Sequence, residues 1–179
     1  MGIRASATAE IIFEDCFVPD SARVGKEGRG FMIAMQTLQM SRPVVAAISV
    51  GIAQAAIEAA VAYSHHRKQF GVKIATFEMV QQMIADMVMK TEAARILTYK
   101  ACVAQMNKDK KAGLYSAMSK CFASDTAMEV TTTAVQVMGG NGYSRENPVE
   151  KYMRDAKIMQ IYEGTNQVQR LVIANEAIF

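Results

Sequence analysis

The segment from residue 152 to residue 170, YMRDAKIMQIYEGTNQVQR, sets a single carboxylate in a loop just before a helix start. Glu163 stands between Tyr162 and Gly164, and the next residue, Thr165, is of a type that caps helices. Carboxylates act in proteins as general acids and bases, so this placement favours a functional group. A lone glutamate in a loop is more commonly a solvated charge, and both interpretations stay open on these residues alone.

Two further sets of residues stand at predicted helix ends. On the residues alone, Arg67 is a cation at a helix end that complements the helix dipole, although a guanidinium also suits phosphate geometry. Gly139 and Gly140, shortly after Gln136, permit close backbone contact, and they equally well end a helix. The run GGNG follows a helix with no strand before it, which excludes a Rossmann or P-loop interpretation.

Composition excludes several classes of function. The net charge is +3 with both signs scattered, so no basic stripe predicts nucleic-acid binding. Three cysteines form no CxxC pair and indicate a reducing compartment. His65 and His66 diverge by about 100 degrees on a helix and cannot share a metal, so no metal site is predicted. No run approaches the roughly 20 uninterrupted apolar residues of a membrane span, which predicts no membrane partner.

The hydrophobic pattern predicts long helices after a different N-terminal segment. Residues 1–25 hold AEIIFEDCFVP, which predicts one or two short strands. Ser41 is expected to cap a helix that tolerates Pro43 in its first turn and runs to about residue 63. Thr76 is expected to cap a second long helix. Its predicted core face holds Val80, Met83, Ile84, Met87 and Val88.

A third long helix is predicted over residues 113–138, with Phe122 among its inward side chains and two glycines at its end. Pro148 begins a shorter helix to about residue 159, and Thr165 caps a last one from Asn166. The fold class predicted is all-α, an up-and-down four-helix bundle over residues 26–179, preceded by a short remnant of β-strands in residues 1–25.

Four segments in order, SRPVVAA, RKQFG, QVMGGNGYSRENPVEKYMRDAKI and IYEGTNQVQR, resemble the flavin-dependent acyl-CoA dehydrogenases along the whole chain. The resemblance implies the C-terminal helical domain of that family and the tail of its middle β domain, so a fragment of a longer enzyme is expected. The segment SRPVVAA is most similar to the medium-chain type. Some family members place their base on an earlier helix, at the position of Ser41, which cannot serve as that base.

The resemblance implies a role for each matched residue. Glu163 is implied as the base that removes the α proton of an acyl thioester. The implied substrate contacts are Gln39, Arg42, Tyr162 and Gly164, with Gln39 standing where medium-chain enzymes have aspartate. The implied FAD contacts, some of them to a neighbouring subunit, are Arg67, Gln69, Phe70, Gln136, Gly139, Gly140, Thr165 and Gln167.

The family further implies an acyl-CoA substrate, FAD as cofactor, an electron-transferring flavoprotein as partner and a homo-oligomer built as a dimer of dimers. The expected location is the mitochondrial matrix in a eukaryote or the cytoplasm in a bacterium. Two alternatives stay open: a non-catalytic helical fragment that mediates subunit association, and a related acyl-CoA oxidase.

Overall fold

The structure, a computed structural model, describes residues 1–179 and consists mainly of five helices. These are α1 (Gly30–His66), α2 (Glu78–Met106), α3 (Ala112–Met138), α4 (Val149–Met159) and α5 (Asn166–Ile178). Short antiparallel strands β1 (Lys68–Gln69) and β2 (Val72–Lys73) pair Lys68 with Lys73 in the connection between α1 and α2. The predicted all-α class is confirmed.

Helix α3 is the central element of the bundle. It packs against α1, α2, α4 and α5, and α4 also contacts α1. Small side chains let α1 and α3 approach closely, since Ala53, Ala56 and Ala60 on α1 and Ala127 and Ala134 on α3 are almost fully buried. The bundle therefore brings α1 and α3 together, and both helices contact the loop that joins α4 to α5.

Helix α1 runs without interruption through Ser41 and Pro43, so the predicted helix start at Ser41 is wrong. A proline inside a helix removes the N–H that would bond to the carbonyl four residues earlier, here that of Gln39. The side chain of Gln105 on α2 supplies the missing donor, with 2.7 Å from its Nε2 to the Gln39 carbonyl oxygen. The predicted cap at Thr76 is also wrong, because its hydroxyl donates to the Lys73 carbonyl and Phe77 occupies the N-cap position.

The strands predicted in residues 1–25 are not formed. This segment holds only a short 3-10 turn at Asp20–Ala22, and Ile11, Phe13 and Phe17 are at least three-quarters exposed. A strand requires a partner for its backbone hydrogen bonds, and no other part of the chain pairs with this segment. The division of the chain at residue 25 stays a prediction.

One helix, α1, is long and apolar enough to cross a membrane by length and composition. Its most apolar stretch of 18 residues has a mean hydropathy of 1.9, and 44% of that stretch is buried inside the bundle. The core helix of a bundle meets the same criteria, so the pattern is weak evidence for a span.

Candidate active site

The loop between α4 and α5 places Glu163 in a tight turn. Glu163 has φ 54° and Gly164 has φ 89°, so two consecutive residues adopt the left-handed region of backbone space. Such a conformation is costly for a residue with a Cβ and persists only where its surroundings enforce it. Thr165 then caps α5, as predicted, by accepting a hydrogen bond from the backbone N–H of Val168 at 3.3 Å.

The carboxylate of Glu163 points at helix α1. The hydroxyl of Ser41 donates to Glu163 Oε2 at 2.5 Å, whereas Glu163 Oε1 has no hydrogen-bond partner in the chain. Arg42, the next residue of α1, has its pKa lowered by burial, an effect that the negative charge of Glu163 opposes. The structure thus brings position 41 and Glu163 into direct contact, and it leaves one carboxylate oxygen free to accept a proton.

Two buried polar side chains, from α3 and α5, hold this turn by hydrogen bonds. Lys120 on α3 donates to the Gly164 carbonyl and to Asn166 Oδ1, each at 2.9 Å. Gln169 on α5 donates to the carbonyls of Gly164 at 3.0 Å and of Glu163 at 3.3 Å. Both Lys120 and Gln169 are fully buried. This support was not predicted from the sequence, where its signal is a lone lysine among small and apolar residues in a predicted core helix.

The remaining substrate candidates lie in different surroundings. The hydroxyl of Tyr162 donates to the sulfur of Met159 at 2.8 Å, and burial, followed by the charge of Glu163, raises the pKa of Tyr162. Tyr162 also lines a cavity of about 250 Å³ beside the first residues of the chain. Gln39 packs its side chain against Gly113 at the start of α3 and forms no hydrogen bond with Glu163.

Most of the predicted cofactor residues converge on one groove. Arg67, Gln69, Gln136, Gly139 and Gly140 line an open cavity of about 320 Å³ between the hairpin after α1 and the end of α3. A Cβ added at either glycine would meet no atom within 4 Å, so the backbone there is open to a ligand. A guanidinium, two side-chain amides and uncovered backbone form a donor set that fits a pyrophosphate group.

Phe70 stands apart from that groove. It occupies the turn of the hairpin with φ 50°, is 93% exposed, and forms an edge-to-face pair with Phe77 at a centroid distance of 6.2 Å. An exposed aromatic ring at a hairpin tip is available to contact another molecule or subunit.

Thr165 and Gln167 line a second groove of about 380 Å³ at the start of α5. Asp125 lies in this groove and accepts hydrogen bonds from Arg170 at 2.5 Å and from Gln160 and Asn166 at 2.7 Å. Burial raises the pKa of Asp125, but these three donors outweigh it and leave the pKa below its usual value. The predicted cofactor residues therefore divide between two separate surfaces of one chain.

No cluster of three or more His, Cys, Asp or Glu side chains is arranged to hold a metal ion. The three cysteines are free thiols.

Known proteins share this arrangement of helices. The family described as acyl-CoA dehydrogenase, C-terminal domain, matches residues 28–178. A probable acyl-CoA dehydrogenase of Mycobacterium tuberculosis is 54% identical over 174 residues, which are 97% of this chain and 45% of that protein.

Two solved structures superpose closely. Butyryl-CoA dehydrogenase from Megasphaera elsdenii gives a TM-score of 0.91 at 49% identity, over 94% of this chain and 44% of its own. A chain from a study of the electron transferring flavoprotein of Acidaminococcus fermentans gives 0.90 at 55% identity, over 93% of this chain and 44% of its own. The chain spans less than half the length of these relatives, and it belongs to the acyl-CoA dehydrogenase family as that family's C-terminal helical domain.

Proposed function

We propose that this chain is the catalytic-base and cofactor-binding domain of an enzyme that oxidises acyl-CoA thioesters to trans-2-enoyl-CoA. The observation that carries the proposal is the anchored carboxylate of Glu163, with one oxygen bonded to Ser41 and the other free. Membership of the acyl-CoA dehydrogenase family supports the same reaction.

In the proposed reaction, Glu163 Oε1 accepts the proton from the α carbon while a hydride leaves the β carbon. The hydroxyl of Ser41 fixes the direction of the carboxylate, so little reorganisation is needed for proton transfer. Arg42 places a cation beside the turn, near the catalytic carboxylate and the thioester end of a substrate. Tyr162 and Gly164 are proposed to border the thioester, with Gln39 further along toward the CoA portion.

FAD is the cofactor that suits the groove around Arg67. Arg67, Gln69 and Gln136 would hold its phosphate groups, with the backbone of Gly139 and Gly140 close by. The chemistry that this group supplies when bound is acceptance of the hydride. Because Thr165 and Gln167 line a different surface, a complete cofactor site would combine residues of two chains. This separation supports the proposed homo-oligomer, a dimer of dimers, with Phe70 contributed across the subunit boundary.

An electron-transferring flavoprotein is the proposed electron acceptor, supported by the similarity to a chain studied with such a protein. The similarity to a butyryl-CoA dehydrogenase directs the search for a substrate to short acyl chains as well as the predicted medium ones.

The test is anaerobic bleaching of the visible flavin absorbance in the complete enzyme that contains this domain. Acyl-CoA thioesters from butyryl-CoA to octanoyl-CoA are added in turn, and free CoA serves as the control. Bleaching by at least one thioester, with enoyl-CoA formed in equal amount, is expected. Bound flavin that no thioester bleaches would contradict the proposed reaction, and rapid reoxidation by oxygen would indicate the oxidase instead.

A further inference from the structure

Lys120 is a fully buried lysine in the middle of α3 whose hydrogen-bond acceptors are both neutral. Lysine is almost never fully buried unless it is paired, because removing an ammonium group from water is costly. Here the acceptors are the Gly164 carbonyl and the side-chain oxygen of Asn166, and no carboxylate forms a salt bridge with Lys120. Burial lowers the pKa of Lys120 to about 8. Because burying the ammonium group is costly, its hydrogen bonds to Gly164 and Asn166 are the feature of Lys120 that needs an explanation.

Both acceptors of Lys120 belong to the turn that presents Glu163. This turn contains two consecutive residues with positive φ, and for Glu163, which carries a Cβ, this conformation is costly and persists only where its surroundings enforce it. The Gly164 carbonyl also accepts a hydrogen bond from Gln169 Nε2, so one oxygen atom is bonded by side chains of two helices, α3 and α5. Gln169 also donates to the Glu163 carbonyl, so both carbonyls of the turn are held, and together they restrict the direction in which the Glu163 side chain leaves the backbone.

We infer that Lys120 is a positioning residue, which holds the Glu163–Gly164 turn through its hydrogen bonds and thereby directs the Glu163 carboxylate toward Ser41 and the substrate. This inference rests on the proposed function of Glu163 as the base. Lys120 itself does not contact the carboxylate in this arrangement. Its effect on the reaction passes through the backbone of the turn.

The test compares Lys120→Met with the wild type in the complete enzyme. Methionine fills a similar volume and removes the donor, while Lys90→Met is the matched control, because it makes the same replacement at an exposed lysine that pairs with Glu129. The rate of flavin reduction by substrate is expected to fall about 10- to 100-fold in Lys120→Met, as a displaced reacting group loses its alignment. Flavin content and KM are expected to stay within about twofold, and the isotope effect of α-deuterated substrate should increase.

Hydrogen exchange of the backbone gives a readout that does not depend on activity. Amides of residues 162–166 are expected to exchange about tenfold faster in Lys120→Met, whereas amides of α2 keep their protection. If Lys120→Met does not fold, Lys120→Gln keeps a neutral donor in the same place, and a fall of at least about threefold in rate with a larger isotope effect is expected.

If the folded Lys120→Met variant keeps the reduction rate, the isotope effect and the amide exchange of the wild type, the inference is overturned and Lys120 has no role in the turn. Faster exchange at the turn with an unchanged reduction rate would also overturn it, since the turn would then not direct the base. If the wild-type enzyme is not bleached by any acyl-CoA, the proposed function fails, and the exchange experiment still reports whether Lys120 holds the turn.

Discussion

Replacement of Gly164 by alanine tests how firmly the Glu163 turn is held. Alanine at φ 89° costs about 1–2 kcal/mol relative to glycine, because its Cβ crowds the backbone. The new Cβ would also lie 2.7 Å from Gln169 Nε2, well inside contact distance. Gln169 is fully buried and donates to two carbonyls of the turn, so moving it loses about 1 kcal/mol of hydrogen bonding. The total expected loss is about 2–3 kcal/mol in the free energy of unfolding.

Alanine replacements at two other glycines separate the backbone cost from the cost of displacing Gln169. Gly71 has φ 84° with nothing within 4 Å of an added Cβ, so Gly71→Ala reports the backbone cost alone, about 1–2 kcal/mol. Gly51 lies inside α1 in open space, and Gly51→Ala is expected to stabilise the helix by about 0.5–1 kcal/mol.

These differences are measured by urea unfolding monitored by circular dichroism. The four proteins are compared with the same dependence of the unfolding free energy on urea concentration. The expected order of stability is Gly51→Ala, wild type, Gly71→Ala and then Gly164→Ala. If Gly164→Ala is no less stable than Gly71→Ala, Gln169 moves aside without measurable cost. That result would refute the reasoning that the turn is rigidly supported.

Three further predictions follow from the described contacts. Ser41→Ala removes the hydroxyl that anchors Glu163 Oε2 and should slow flavin reduction about tenfold without changing flavin content, as measured by stopped-flow absorbance; an unchanged rate would show that the anchor is dispensable. Iodoacetamide at neutral pH should label Cys16 first, Cys102 more slowly and Cys121 only after unfolding, because Cys121 is buried and burial raises its pKa; mass mapping of early Cys121 label would contradict its buried position. Arg170→Ala should cost about 0.5–1 kcal/mol at neutral pH, because this partly exposed pair is screened by water. The pKa of Asp125 is lowered in the folded state, so this stabilisation is full above about pH 4 and disappears as pH falls further. Urea unfolding at neutral and acidic pH should therefore show that the difference in stability between Arg170→Ala and wild type shrinks in acid. A difference that stays constant with pH would argue against the pairing.

Local signals in the sequence predict the parts of the fold that depend on local chemistry. The cap at Thr165 and the glycines after α3 set helix boundaries where they were expected, since capping uses residues within one turn. The role of Glu163 was predicted from the resemblance of its segment to a known family and not from a local signal, and the residue lies in contact with α1.

Features that depend on distant partners could not be read from the sequence. Helix α1 continues past Pro43, and the carbonyl of Gln39 that the proline leaves without a partner is satisfied by Gln105, more than sixty positions away. Val88 and Phe122 were assigned to core faces by their spacing, yet both are more than two-fifths exposed, because the packing partners of a helix are set by the whole bundle. The support of the turn by Lys120 likewise appears only when α3 and α5 are brought together.

The central claim is that Glu163 removes the α proton, and the most direct measurement is single-turnover flavin reduction by substrate in Glu163→Gln of the complete enzyme. Glutamine keeps the shape of the side chain but cannot accept a proton in this way, so the fold and the flavin content should be unchanged. The rate of flavin reduction is expected to fall by about 10²–10⁴-fold. A rate within about tenfold of the wild type would show that another group is the base and would contradict the claim.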